Sequence, residues 1–595
     1  MGDALDVAAY PWVDRTLVDL APDGGGYLDA DTAVVVLGGE AEDEEEWHRH
    51  HLVDVRTGEV RGPLDTPSRD AYDVEPRGDG SWLSTDDDAT PGERSSVSRS
   101  GDAAVDGVPD GGVALSRCPQ TARPRRTAVA DHENGGLLRQ LTSRQIGMIS
   151  LGGTIGTGLF LGSSLAISMA GPAVVVVYLV GALAAVAVAY AVAEMVVVHP
   201  EAGGFGAVGA RYAGPLAGYV QRWCYWATQV ITVGGEVVAA GLYVRYWWPQ
   251  VPLWASVCLF SVAILGVNFA AVRLFGEVEY WFAMVKVTAL VVFLVLGVLY
   301  VVFGLPGQDA AGLSAWTDHG GFMPNGLVGV LLAVSVATFS YGGVESVAMT
   351  AAESRSPARD IPRAARRVVL RLALFYVLAT GIIVAIVPWT EAAAVDGVAE
   401  SPFVALFASI GVPAAAGLMN LVILTAALSA ANTTLYLASR TMHSLALDRY
   451  APKPLAAVTD RGSPVNAVLA STVGLAAAAV AAALSPDAAF PVLLGIALFS
   501  GMVAWMLIFV SHLAFRRARR GLPPASVRLP GAPVTSVLSL LYVVLVVVAT
   551  AFTEAFGPAW QVGVPFVALV LLSYPLVRLR RSARDRPADG YTESM

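Results

Sequence analysis

Residues 150–167 read SLGGTIGTGLFLGSSLAI, and residues 331–349 read LLAVSVATFSYGGVESVAM. Each is an apolar run cut by glycine, at Gly152, Gly153, Gly156 and Gly158 in the first and at Gly342 and Gly343 in the second. Glycine frees the backbone from helical geometry, and within a bilayer a break is tolerated only where the released amides and carbonyls line a cavity. Broken helices at corresponding places of two halves are the sequence sign of a midplane substrate site in a secondary transporter. The expectation is a chain that moves a small solute rather than transforming one.

Composition points the same way. The 595 residues are 55% hydrophobic, above the roughly 45–50% of soluble domains, with a mean hydropathy of +0.57. The formal net charge of −10 is unevenly spread: residues 1–130 hold 27 acidic against 12 basic residues, and the remainder 22 against 27. The acidity therefore belongs to an N-terminal extension. Cys118, Cys224 and Cys258 offer neither a disulfide framework nor metal-ligand spacing. Residues 1–30 lack the basic start and compact apolar core of a cleavable signal peptide, so the first span is expected to act as its own insertion signal.

Window hydropathy predicts an all-α membrane body of about twelve spans, near 143–169, 172–197, 216–246, 252–272, 277–304, 325–351, 367–390, 403–440, 465–484, 488–515, 533–553 and 560–578. Pro172, Pro388, Pro402, Pro464 and Pro558 punctuate the ends, as residues that stop helices do. Alternate loops are basic: Arg355 to Arg371, Arg440 to Arg461, Arg516 to Arg528, and Arg578 to Arg586. The loops between them, 304–324, 388–402, 485–488 and 554–559, hold no Lys or Arg. Basic loops stay in the cytoplasm, which predicts a multi-pass plasma-membrane protein with both termini cytoplasmic. Residues 1–136 read as an acidic, largely disordered extension. Strand-like pieces at His51–Val55 and Ser81–Leu83, and a turn at Thr57-Gly58, suggest a hairpin, with disorder expected over 85–136.

A resemblance rests on several motifs: Leu151-GGTIGTGLFLG-Ser163, Ala170-Gly171-Pro172, Glu194-Met195-Val196 with Pro200, and Pro249-x-x-Pro252-x-Trp254. To these are added Phe275-Gly276-Glu277-x-Glu279-x-Trp281-Phe282-Ala283-x-x-Lys286, Phe339-SYGGVE-Ser346 and Thr350-Ala351-Ala352-Glu353. With them the run from Leu138 to about Arg520 resembles the amino acid permeases of the amino acid–polyamine–organocation superfamily, best the bacterial branch of aromatic, proline, lysine and γ-aminobutyrate permeases. The resemblance implies a leucine-transporter-like fold: two inverted five-helix repeats, here 137–304 and 325–516, with helices 1 and 6 broken. Two peripheral helices (533–580) and a tail (581–595) complete it. The extension departs from the family pattern.

An amino acid zwitterion needs an anion receptor and a cation receptor side by side. Unwinding over Thr154, Ile155, Gly156, Thr157 and Gly158 would leave amides at a helix start for the carboxylate. Carbonyls around Ile155, Phe339, Ser340 and Gly342 suit the ammonium, and the resemblance assigns the same stretches to these roles. The alternative for Gly152-x-x-x-Gly156 is close helix packing, and the second break in register favours a site. Phe339 and Tyr341 are candidates for an aromatic gate; Thr154, Ser340 and Asn432 would set polarity.

Lys286, one of two lysines, sits seven residues into an apolar span. A charge at that depth faces a cavity or a partner, or else snorkels to the surface. In related permeases a lysine in this motif lies where sodium-coupled relatives hold a cation, which implies proton coupling. Glu345 falls by resemblance in the gating and proton-sensing region, and Glu236 is a mid-span acid with a counterpart in related permeases. Either also suits a protonated structural hydrogen bonder. Glu277 and Glu279 are read as serving a helix N-terminus, and Glu194 as structural.

The expected function is amino acid import by proton symport through alternating access, with a neutral, aromatic or proline-like substrate. The rivals are an amino acid exchanger and a nutrient sensor on a transporter fold. No enzyme constellation appears, since the eight histidines lie in the extension or near loops and span ends. The expected partners are the substrate and the lipid bilayer, with no nucleic acid and no obligate protein. No cofactor or metal is expected, the proton being the coupling ion.

Overall fold

The computed structural model describes residues 26–29, 32–40, 46–54, 60–63, 71–76, 82–86, 95–97, 147–149, 153–200, 203–269, 272–304, 309–354, 356–393, 401–409, 413–459, 462–553 and 556–584. The chain divides into two units, residues 1–122 and 123–595.

The first unit holds strands, so the all-α expectation applies only from residue 147 onward. Strands β1 (Gly26–Asp29), β2 (Thr32–Glu40), β3 (Glu46–Asp54) and β4 (Val60–Pro63) form one antiparallel sheet in that order. Strands β5 (Ala71–Pro76), β6 (Trp82–Asp86) and β7 (Ser95–Val97) form a second. The His51–Val55 and Ser81–Leu83 readings overlap β3 and β6 at His51–Asp54 and Trp82–Leu83, whereas Val55, Ser81 and the Thr57-Gly58 turn lie outside the described residues. The expectation of disorder from residue 85 is corrected at Ser95–Val97, where Val97, Ser96 and Ser95 pair with Trp82, Leu83 and Ser84. Thin apolar content hid these strands, because their pairing comes from backbone hydrogen bonds that composition does not report. The rest of 85–136 lies outside the described residues.

The second unit is helical. Its helices are α1 (Thr157–Phe160), α2 (Gly162–Ala170), α3 (Val174–Val198), α4 (Gly204–Tyr212), α5 (Pro215–Val244), α6 (Leu253–Phe269) and α7 (Val272–Phe303). There follow α8 (Ala315–Asp318), α9 (Gly326–Ser340), α10 (Ser346–Met349), α11 (Pro357–Ile386), α12 (Trp389–Ala393), α13 (Pro402–Ser409) and α14 (Pro413–Leu447). The last are α15 (Val465–Ser471), α16 (Val473–Leu484), α17 (Pro486–Ala518), α18 (Val534–Thr550) and α19 (Gly557–Arg584). Seven helical stretches among the described residues are long and apolar enough to cross a membrane, and four shorter helices are equally apolar. The first stretch, Thr157–Val198, runs 42 residues, about twice what a bilayer needs. It turns at Gly171, whose φ of +60° suits a residue without Cβ, so it divides there into two helical segments. The predicted span 403–440 is corrected: α13 is separate, and the spanning helix starts at Pro413 and runs on to Leu447. A proline at the first helical position is favourable, and an apolar run alone does not reveal the break before it.

Helix α5 lies at the centre, packed by α14, α17 and α16. Small residues permit this closeness. A Cβ on Gly474 would lie 1.8 Å from the Val230 carbonyl, and one on Gly234 would lie 2.8 Å from the Gly474 carbonyl. Large apolar side chains such as Leu183, Leu259, Val262, Phe303 and Leu569 face outward, as lipid contact requires. Two motif acids act as clamps. Glu353 accepts hydrogen bonds from Arg440 Nε (2.9 Å) and Tyr436 (2.8 Å), with the Arg440 guanidinium 3.9 Å over the Tyr436 ring and Phe275 stacked on the same ring at a centroid distance of 4.3 Å. Glu194 at the end of α3 accepts from His512 (3.1 Å), Arg516 (2.6 Å) and the Leu529 amide (2.7 Å), which fits its structural reading.

Removing one member of a buried ion pair leaves the other without compensation. Glu353→Ala is expected to destabilise the protein by about 3 kcal/mol, read as a lowered Tm of the detergent-solubilised chain. An unchanged Tm would show that Glu353 is not a clamp.

Candidate functional site

The first helix breaks where its glycines stand. Gly153 and Thr154 are helical, Ile155 and Gly156 bend, and α1 begins at Thr157 with Gly156 extended at its N-cap (φ −133°, ψ −156°). The second breaks after Ser340: Tyr341–Glu345 form turns, with Gly343 at φ +99°, before α10 resumes at Ser346. The two breaks lie against each other. A Cβ on Gly158 would lie 2.8 Å from Ser340 Cα, and one on Gly343 would lie 3.0 Å from the Gly153 carbonyl. Ser340 Oγ donates to the Gly158 carbonyl at 2.6 Å, tying the breaks directly.

Three neighbouring helices satisfy what the first break releases. The Glu236 carboxylate on α5 accepts from the Thr157 amide, 3.3 Å to each oxygen. Lys286 Nζ on α7 donates to the Ile155 carbonyl at 3.0 Å. The Tyr376 hydroxyl on α11 donates to the Thr154 carbonyl at 2.8 Å. At the second break, the Gly343 amide donates to the Glu345 carboxylate at 3.2 Å.

A cavity opens beside both breaks. From the predicted set, Thr154, Gly156, Gly158, Phe339, Ser340, Gly342, Glu236 and Glu345 line it. Four others do not. Ile155 is fully buried with its carbonyl taken by Lys286, so that carbonyl is corrected from an ammonium acceptor to a lysine-held group. Thr157 offers its amide to Glu236. Tyr341, read as a gate, turns away to donate to the Tyr178 carbonyl at 2.9 Å, its ring among those of Tyr178 and Tyr376. Lys286 is completely buried behind the first break with the Ile155 carbonyl as a partner, which selects the partner reading over the cavity-facing and snorkelling ones.

Sequence reading missed much of the wall. Tyr225, Gln229 and Thr232 on α5 line the cavity beside the predicted Glu236, and the spacing of four, three and four places all of them on one helical face. That polar stripe in an apolar helix was legible. Ala497, Leu498, Gly501, Met502 and Trp505 on α17 also line it, with no signal to separate them from ordinary core. Asn432, read as a cavity residue, instead donates to Glu279 Oε2 at 3.4 Å and accepts from Asn268 at 2.8 Å. Glu279 is corrected from a helix-terminus residue: it is fully buried and also accepts from the Ser429 hydroxyl, joining α7 to α14. Glu277, on the other side of the helix, is exposed and takes the Trp281 indole N–H. The two-residue offset between exposed and buried faces is what a motif cannot report.

Residues 145–583 match the model of the amino acid permease family. The chain belongs to this family. A Bacillus subtilis strain 168 protein named as a probable threonine/serine transporter is 35% identical over 443 residues, covering 74% of this chain and 95% of the relative. The aromatic amino acid transport protein AroP of Escherichia coli K12 is 38% identical over 384 residues, covering 64% of this chain and 83% of the relative. Its Escherichia coli O157:H7 counterpart is 36% identical over 434 residues, covering 72% and 94%. The permease is therefore a multi-pass membrane protein of an amino acid transport family, with its helix breaks inside the matched region.

A Cβ on Gly156 would lie 2.6 Å from Glu236 Oε1 and 2.9 Å from Ala430 Cβ, so Gly156→Leu is expected to fill the break. Saturable amino acid binding by the purified variant, followed as a ligand-induced Tm shift, should vanish; its retention would overturn the site. Glu279→Gln replaces the buried carboxyl group with an amide of the same shape, and should lower transport rate more than Glu277→Gln on the exposed face. Equal rates in the two variants would count against a role for the buried network.

Proposed function

We propose that this permease imports a neutral amino acid across the plasma membrane by proton symport and alternating access, with both termini in the cytoplasm. The architecture proposed is two inverted five-helix repeats, 137–304 and 325–516, with two peripheral helices in 533–580. The acidic region 1–136 precedes them.

The observation carrying the reading is the bond from the Thr157 amide to the Glu236 carboxylate. That amide begins the half-helix, where an amino acid carboxylate is best received. An ionised Glu236 and a substrate carboxylate therefore compete for one donor. Protonating Glu236 weakens its hold on the amide, so proton and substrate are favoured together. Lys286 supplies a second titratable contact, because its hydrogen bond to the Ile155 carbonyl keeps the break in its present shape. Losing that proton turns a charge-assisted hydrogen bond into a weaker neutral-amine one and favours a rearranged break. The substrate ammonium is received by carbonyls at the C-terminal end of α9, around Phe339, Ser340 and Gly342. Glu345 stands beside this end, its carboxylate on the Gly343 amide.

Neutral side chains suit the remaining wall. Phe339, Tyr225, Met502 and Trp505 offer apolar and aromatic surface, and Glu236 and Glu345 are the carboxylates of the lining, both already engaged with amides. The relatives' printed substrates, aromatic amino acids in one case and threonine or serine in the other, support the same class.

The test is uptake of a panel of radiolabelled amino acids into proteoliposomes, with and without an inward proton gradient. Accumulation that collapses with a protonophore and ignores sodium is the expected result. Uptake that requires only internal amino acid would replace symport with exchange. In Lys286→Ala, gradient-driven accumulation should fall at least tenfold while substrate exchange persists; normal accumulation would remove Lys286 from the coupling.

A further inference from the structure

We propose that the loop joining α17 to α18 holds the headgroup of an anionic phospholipid. A hollow of about 470 Å³ there is walled by Arg516, Arg517, Arg519, Arg520 and Arg528, with Glu194 as its one acid. Glu194 is fully consumed by Arg516, His512 and the Leu529 amide. Arg516 is likewise committed, to Glu194 and to the Ala532 carbonyl at 3.1 Å. Among the described residues, no carboxylate lies within 4.0 Å of Arg517, Arg519, Arg520 or Arg528. Four uncompensated guanidinium groups around one concavity repel one another, and an anion seated among them relieves that repulsion. Guanidinium is planar with several donors in a fork that matches a phosphate, so a phosphodiester fits this set best.

The concentration of charge in a hollow goes beyond the ordinary basic excess of a membrane loop. A second observation selects a lipid over a soluble phosphate. Pro533 forms part of the hollow's wall, and α18 starts at the next residue. From there Val534, Leu538, Leu541 and Leu545 are each 44–63% exposed. Their spacing of four, three and four puts them on one face, a stripe about 16 Å long. An acyl chain anchored by its phosphate in the hollow has this stripe to lie along, and a free phosphate gains nothing from it. Basic pockets beside spanning helices recognise lipid headgroups by this combination.

The experiment places the full chain in nanodiscs of phosphatidylcholine with phosphatidylglycerol and follows lipids retained on release, by native mass spectrometry. The wild type should retain phosphatidylglycerol over phosphatidylcholine, with the preference falling as salt screens the charges. In Arg520→Gln/Arg528→Gln the preference should drop about tenfold. A control pair at the exposed, basic start of α11, Arg359→Gln/Arg363→Gln, should keep it. Equal preference in wild type and the first pair would overturn the proposal. So would an equal loss in the control pair, which would mark general surface charge. Glycerol phosphate distinguishes the source: if it abolishes the preference, the hollow takes soluble phosphates and the lipid assignment falls. Should the pair fail to insert, Arg528→Gln alone and the salt series on the wild type decide the same question.

Discussion

A bilayer supplies no water to a bared amide or carbonyl, and the helical unit is arranged around that constraint. Breaking the first helix exposes groups at Thr154, Ile155 and Thr157. Each is met by a side chain from a different helix, Tyr376, Lys286 and Glu236 respectively. A buried polar group left alone costs several kcal/mol, so these three contacts are a condition for the break to exist. They also explain why a lysine and a glutamate persist at membrane depth. Neither charge is tolerated there without a partner, and the break provides one for each.

The second break is satisfied more locally, its Gly343 amide reaching the Glu345 carboxylate two residues on. The two breaks then depend on each other through close approach. Ser340 donates to the Gly158 carbonyl, and glycines at 158 and 343 leave no room for side chains between them. A cavity lined by backbone from both breaks follows from this contact. Side chains from α5 and α17 close it, so the backbone groups of the cavity and its apolar wall come from different elements.

Polar groups away from the cavity are organised by the same rule. Glu279 is buried with Ser429 and Asn432, Glu353 with Arg440 and Tyr436, and Glu194 with His512 and Arg516. Each carboxylate joins helices distant in sequence. Motif residues such as Phe275 and Glu353 thus read as parts of one clamp on α14, which explains their type without giving them contact with substrate.

What the sequence determined by itself is the class of the fold and the location of the breaks, because both arise from short-range properties. Hydropathy marks what enters a bilayer, and glycine marks where its helices open. The polar stripe Tyr225, Gln229, Thr232 and Glu236 also carries a helical spacing, but only Glu236 was picked out from it. Tertiary structure alone decided which groups meet. Whether Lys286 faces the cavity or a carbonyl behind it, whether Tyr341 gates or packs, and whether Glu279 caps a helix or lies buried are questions of rotation about a helix axis. So is the apolar wall from α17, whose residues resemble any other membrane core. One residue turns a helix by about 100°. Only the packing of neighbouring helices sets that angle.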